Sequence, residues 1–291
     1  MKLGFLICDH ELIATGVKVT PVDDYHALIA EFHKKGRVSR GWILPPVKRV
    51  THSKHERVVF KNTEALENSH IFAMPSTHDI EVDSGGEDKS KFMILALGFL
   101  YGLYLAPAGF HYMYRVAYEP GKLTGIKPVR MDVEKGLSYI SEKYDQLSTS
   151  ERGQLYAAIY WFLAGQSASN VWERFDSQYK VLDGIYKISG IGRCTHAKRP
   201  SELALAYGLN PPSWAAIPVH SNTCKLASLR NELVHEAKFH RKPIGYSNPG
   251  ENIDIEFRAF NLKLICAFIG LQTPYITASV SSEWISTWDM A

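Results

Sequence analysis

Along the second half of the chain, apolar residues return every three or four positions. The stretches "DVEKGLSYISEKYDQL", "GQLYAAIYWFLAG", "NVWERFDSQYKVLDGIYKIS" and "IDIEFRAFNLKLICAFIGL" all carry this spacing, which predicts helices. Ser150 is expected to cap the second. Ser167 or Ser169 is expected to open the third, and Gly190 to end it. A shorter helix is expected after Pro200, and another through "LRNELVHEAKF". Before about residue 130 the pattern is mixed. "GFLICD", "ERVVFKN" and "HIFAM" predict short strands, and Asp23 or Asp24 is placed to cap a helix through "YHALIAEFHKKG" that ends at Gly36. "DSGGEDKSK" predicts a flexible polar loop, and "EPGKLTGIKP" a turn-rich connection. The expected fold class is therefore mixed: an α+β domain over residues 1–130, with sensing or substrate selection as its candidate role, followed by an all-helical domain over 131–291.

One segment requires a membrane test. Phe92 to Tyr114 holds no Asp, Glu, Lys or Arg, and its length is enough to span a bilayer. Pro107, Gly109 and His111 interrupt it, however, and its tyrosines are spread through it rather than gathered at its ends. Gly98 and Gly102 form a GxxxG pair, which alone is weak evidence for packing in lipid. The expectation is a buried helix from Phe92 to Leu105 and no membrane partner.

Composition adds constraints. A chain of 291 residues with 45% hydrophobic and 22% charged residues can bury a large core as one or two domains. A net charge of +3 does not mark a nucleic-acid binder, so any basic surface must be local. Cys8, Cys194, Cys224 and Cys266 are scattered, with no C-x-x-C pair, and "MKLGFLICDHE" lacks the apolar run of a signal peptide. Both features point to reduced thiols and a cytoplasmic location. The first half is rich in histidine: His10, His26, His33, His52, His55, His70 and His78. "THSKH" and "CDH" suggest metal, but their spacings match no zinc pattern, so no metal is expected. The sequence contains no phosphate-binding glycine loop and no G-x-S-x-G or H-E-x-x-H motif, so no cofactor is expected.

The helix expected over 226–238 carries the chemistry. At ~100° per residue, Leu226, Leu229, Leu233 and Ala237 form one narrow stripe. Arg230 lies beside that stripe on the side of Val234, while Asn231 and His235 share a neighbouring face. An arginine so close to a core needs an acceptor: a carboxylate of this chain, a phosphate, or a partner subunit. The run Arg230-Asn-Glu-Leu-Val-His235, on a late helix of a helical half, resembles the R-x4-6-H motif of the HEPN superfamily. Asn231, a polar residue directly after the arginine, fits that pattern, and "FDSQYKVLDGIYKI" is similar to the helix on which members carry an acidic residue, here Asp183. The resemblance covers roughly residues 131–291.

It implies a metal-independent endoribonuclease, a toxin or antiviral defence effector, whose two motifs meet across a homodimer interface, with a neutralising partner protein as a further expectation. His235 would act as general acid or base and Arg230 would neutralise the phosphate. Asn231 would orient, and Asp183 would hold Arg230 or His235. The competing expectation is a non-catalytic HEPN-like module for nucleic-acid binding or dimerisation, with Arg230 in a structural ion pair and His235 a surface residue. Asp183 also has a plain reading as a solvated residue paired with Lys187 at i,i+4. Two basic clusters flank the motif region and are candidate RNA-phosphate contacts: Arg193, Lys198 and Arg199, with His196, and Lys238, Arg241 and Lys242, with His240. Charged loops and cations at a helix C-terminus are common without any ligand.

Overall fold

The computed structural model describes residues 1–34, 38–43, 49–52, 57–60, 72–109, 111–112, 116–120, 125–246, 253–279 and 287–291. Gly36, His55, His70 and Tyr114 lie outside these residues. The architecture is mixed α+β. The described helices are α1 (Tyr25–Lys34), α2 (Gly86–Tyr101), α3 (Arg130–Gln146), α4 (Thr149–Ala164), α5 (Val171–Ile188), α6 (Arg199–Ala206), α7 (Lys225–Glu236) and α8 (Asp254–Ile269). A five-stranded antiparallel sheet runs in the order Ala106–Pro107, Lys2–Gly4, His78–Val82, Val17–Pro21, Leu12–Ala14. Its register pairs Leu3 with His78, Val19 with Ile80 and Leu12 with Val19. Alternation along each strand turns Leu3, Leu12, Val17, Val19 and Ile80 inward.

The sheet packs against α2 and α3, and α2 in turn packs on α4. Enclosed on several sides, α2 is buried along nearly its whole length, which is why it is apolar all round rather than along one stripe. One apolar core runs from Leu3 to Met290 and is continuous across residue 130. A smaller cluster of Phe5, Phe32, Ile43, Met74, Ala106 and Val116 lies under α1. Among the described residues no helix is long and apolar enough to cross a membrane.

Several boundaries differ from those the pattern predicts. The polar "DSGGEDKSK" is not all loop. Gly86 begins α2, with Glu87 and Asp88 in its first turn, where carboxylates complement the helix dipole. Lys89 is buried and gives two hydrogen bonds to the Asp145 carboxylate, at 2.9 and 2.8 Å. The same helix stops at Tyr101 rather than Leu105. Gly102 adopts φ 69° as its cap, and the Leu103 amide returns to the Gly98 carbonyl at 2.8 Å. A Cβ on Gly98 would stand 2.3 Å from the Leu103 oxygen, so this return needs glycine. Ser148, not Ser150, caps α4, and Asn170, not Ser167 or Ser169, caps α5. Each forms a capping box with the glutamate three residues on, Glu151 and Glu173. Helix α5 ends at Ile188, just before Gly190 with φ 73°.

Of "GFLICD", residues 4–9, only Gly4 is in a strand, which spans Lys2–Gly4. The chain from Phe5 to His10 is instead a loop held by one buried network. The Leu6 amide donates to Thr77 Oγ1 at 3.0 Å, the Thr77 hydroxyl donates to His78 Nδ1 at 2.9 Å, and His78 Nε2–H donates to the Cys8 carbonyl at 2.8 Å. His78 is fully buried and must be neutral for this chain of donors to close; burial pushes its pKa down to about 4. An unfolded histidine titrates near ~6.5. The neutral ring therefore contributes its full stability above that pH, and the contribution is lost as pH falls from about 6.5 toward 4, on the order of 3 kcal/mol in total. The urea midpoint should drop across that window, and His78→Gln should flatten the dependence. An equally steep profile in the variant would remove His78 from this role.

Candidate functional site

Helix α7 is capped by Cys224, whose sulfur accepts from the Ala227 amide at 3.5 Å. Leu226 and Leu229 are buried and Leu233 packs partly against the core, as the stripe predicts. Ala237 departs from the stripe. It is exposed and left-handed at φ 50°, and it ends the helix. Beyond it a tight hairpin pairs Lys238–Phe239 with Lys242–Pro243. Buried Phe239 anchors the hairpin edge-on to Phe175 of α5, with ring centroids 5.2 Å apart.

Arg230 is half-buried, and Asn231 and His235 are exposed. Arg230 Nη1 donates to Asn231 Oδ1 at 3.1 Å and lies 3.1 Å from His235 Nε2. A guanidinium has donors and no acceptor, so His235 Nε2 accepts this bond and the ring proton sits on Nδ1. Among the described residues no carboxylate lies within ion-pair distance of Arg230. The arrangement is a cation held at the surface with one N–H on the imidazole lone pair, so Nε2 becomes a free base only when the guanidinium turns to another acceptor.

Asp183 does not belong to this pair, nor does it bond Lys187. Its Oδ1 accepts from Arg199 Nη1 at 2.6 Å and lies 4.0 Å from His196 Nδ1. His196 Nδ1 is also 2.9 Å from the Tyr179 hydroxyl. Burial is the largest cause lowering the His196 pKa; the Arg199 and Arg230 charges lower it further and Asp183 opposes them. The Tyr179 hydroxyl is held well above its usual range by burial first and then by Asp183, with Arg199 and Arg230 opposing. Arg230 is thus in electrostatic reach of a Tyr179–His196–Asp183–Arg199 cluster built from α5, the loop before α6 and α6 itself. Tyr179 was not legible as a site residue. The only sequence signal was its i,i+4 spacing to Asp183 on α5.

The two basic clusters open on different cavities. Arg193, Lys198 and Arg199 line one of about 820 Å³ together with Lys187 and His196. Arg199 is committed to Asp183 and lies over the Tyr186 ring at 4.6 Å, so its charge is already neutralised in place. Arg193 and Lys198 have no carboxylate within ion-pair distance among the described residues. The second cavity, of about 430 Å³, is lined by Arg241 with Glu232, His240 and Cys224. Arg241 is fixed through its backbone amide, which donates to Glu232 Oε2 at 2.8 Å. Lys238 pairs with Glu236 at 2.9 Å, while Lys242 is exposed. Among the described residues no group of three or more His, Cys, Asp or Glu is arranged to hold a metal ion. No protein-family model, curated protein or solved structure matches this chain.

Proposed function

We propose that the chain is a metal-independent endoribonuclease of HEPN type, acting as a homodimer in the cytoplasm as a toxin or defence effector. The observation that carries this reading is the bond between Arg230 and His235 Nε2, on an accessible helix face where, among the described residues, no carboxylate is within ion-pair distance of the arginine. When Arg230 turns its N–H from His235 Nε2 to the scissile phosphate, Nε2 is freed to take the proton of a ribose 2′-OH, and the 2′-oxygen attacks the adjacent phosphorus. The 5′-oxygen leaves with a proton from the second copy's motif. Arg230 neutralises the charge that builds on the phosphoryl oxygens, with forked donors that match them. Asn231 keeps the guanidinium oriented, and Arg193 and Lys198 hold flanking phosphates.

Association is supported by large apolar side chains left exposed on and beside α7: Val234 at 51%, Tyr246 at 69%, and Val219, in the segment leading into the helix, at 94%. Sedimentation at micromolar concentration should give a dimer. A monomer throughout that range would eliminate the composite site. The test of the activity is mixed RNA incubated with purified protein in chelator, beside His235→Ala and Arg230→Ala. Cleavage lost in both variants is the expected result. RNA bound but uncut by the wild type would instead support the non-catalytic binding module.

A further inference from the structure

A second cluster lies far from α7 in sequence, in the loop that His78 fixes. The Cys8 S–H donates to the His10 carbonyl at 3.4 Å, and Sγ stands 3.6 Å from His10 Nε2, to which rotation about the Cβ–S bond can turn the same proton; His10 Nδ1 stands 3.3 Å from Asp9 Oδ1. The Tyr101 hydroxyl at the end of α2 donates to the same sulfur at 3.6 Å. All four residues line a cavity of about 420 Å³, whose remaining walls include Ile7, Ile29, Pro120 and Pro128. The elements are a thiol, an imidazole in reach of it, a carboxylate on the far ring nitrogen and a neutral donor on the sulfur. This is the order of parts that activates a nucleophile. The apolar walls, with no lysine or arginine in the lining, suit a neutral acyl group and not a phosphate.

We propose that Cys8 and His10 form a thiol acyl-transfer site that hydrolyses small esters with an apolar acyl part. Cys8 gives its proton to His10 Nε2, and Sγ bonds to the ester carbonyl carbon. The carbon–oxygen bond breaks and the leaving alkoxide takes the proton from His10, which leaves a thioester on Cys8. Water then gives a proton to His10 and attacks the thioester carbon; the carbon–sulfur bond breaks and Sγ recovers the proton. The products are the acid and the alcohol. Asp9 is a positioning residue: it accepts from His10 Nδ1–H and steadies the ring when it is charged. Tyr101 stabilises the sulfur as its charge develops. Tyr25, also at the cavity, is protonated at neutral pH as any tyrosine is, and its hydroxyl supplies a donor for the developing oxyanion.

The sequence already holds the three residues as "CDH", whose spacing matched no zinc pattern. The structure places the sulfur and the ring nitrogen at a proton-transfer distance instead. The site is independent of α7, so its test is separable from RNA cleavage.

The full chain is mixed with p-nitrophenyl butyrate, with product release followed spectroscopically and the acyl adduct mapped by mass spectrometry. The wild type should show one burst per chain with the adduct on Cys8, followed by slow turnover. Cys8→Ser should lose the burst. His10→Gln, at a side chain 40% exposed and thus tolerant of change, should acylate about 10²-fold more slowly or worse. His235→Ala should acylate at the wild-type rate. A burst of equal size in Cys8→Ser, an adduct mapping to another residue, or an unchanged rate in His10→Gln would overturn the proposal.

Discussion

Replacing His235 with alanine is expected to lower RNA cleavage by about 10²- to 10⁴-fold, the range that one positioned acid–base group supplies. His235 is exposed in the last turn of α7, and its described contact is the bond from Arg230, so the folded state should lose little. Arg230 keeps its bond to Asn231 Oδ1 in the variant, so phosphate binding should survive while proton transfer fails. The signature is a fall in the single-turnover rate with RNA affinity nearly unchanged. Arg230→Lys should behave differently: charge remains, but the fork that reaches both Asn231 and His235 is gone, and affinity and rate should fall together. Products should end in a 2′,3′-cyclic phosphate and form in chelator, and DNA, which lacks the 2′-hydroxyl, should be spared. Equal cleavage by wild type and His235→Ala would mean that the activity comes from elsewhere and that the catalytic reading is wrong.

Phe99→Ala should destabilise the chain by roughly 3–5 kcal/mol. Phe99 is fully buried at the middle of the main core, and its ring meets Phe162 of α4 edge-on, with centroids 5.8 Å apart and planes at 67°. Removing it deletes both the transfer free energy of the ring and the aromatic contact, and leaves a void between α2 and α4 that rigid helices cannot close. The effect belongs to the whole molecule, because the core containing Phe99 joins strands from the first half to helices from the second. Chemical denaturation should therefore show one transition at a lower midpoint. A loss below about 1 kcal/mol would contradict the central place of α2.

The motif helix was legible because its information is local. Arg230, Asn231 and His235 lie within two turns of one another, so helical spacing alone brings them near. The partners of Asp183 were not legible in the same way. Lys187 was the near neighbour by spacing, yet Arg199, in the next helix, took the carboxylate at 2.6 Å. A planar guanidinium approaching from another helix can reach better geometry than a neighbour confined to the same surface. Capping followed a similar rule. Ser148 and Ser150 both offer a hydroxyl at the start of α4, and the choice fell on the one whose partner Glu151 stands three residues away.

The periodic elements could be read from the residues alone. They included the long helices of the second half, the strands Arg57–Phe60 and Phe72–Ala73, and the buried character of Phe92–Tyr101; the strands Leu12–Ala14, Val17–Pro21 and His78–Val82 of the main sheet were not among those expected. Where residues distant along the chain meet depends on how the elements pack. His78 reaches back to the Cys8 carbonyl, Tyr101 to the Cys8 sulfur, and Tyr179 to His196 beside Arg230. Polar side chains carry no period of their own. Their partners are set by how the helices and the sheet pack around one core, since each buried donor must find an acceptor wherever that packing leaves it.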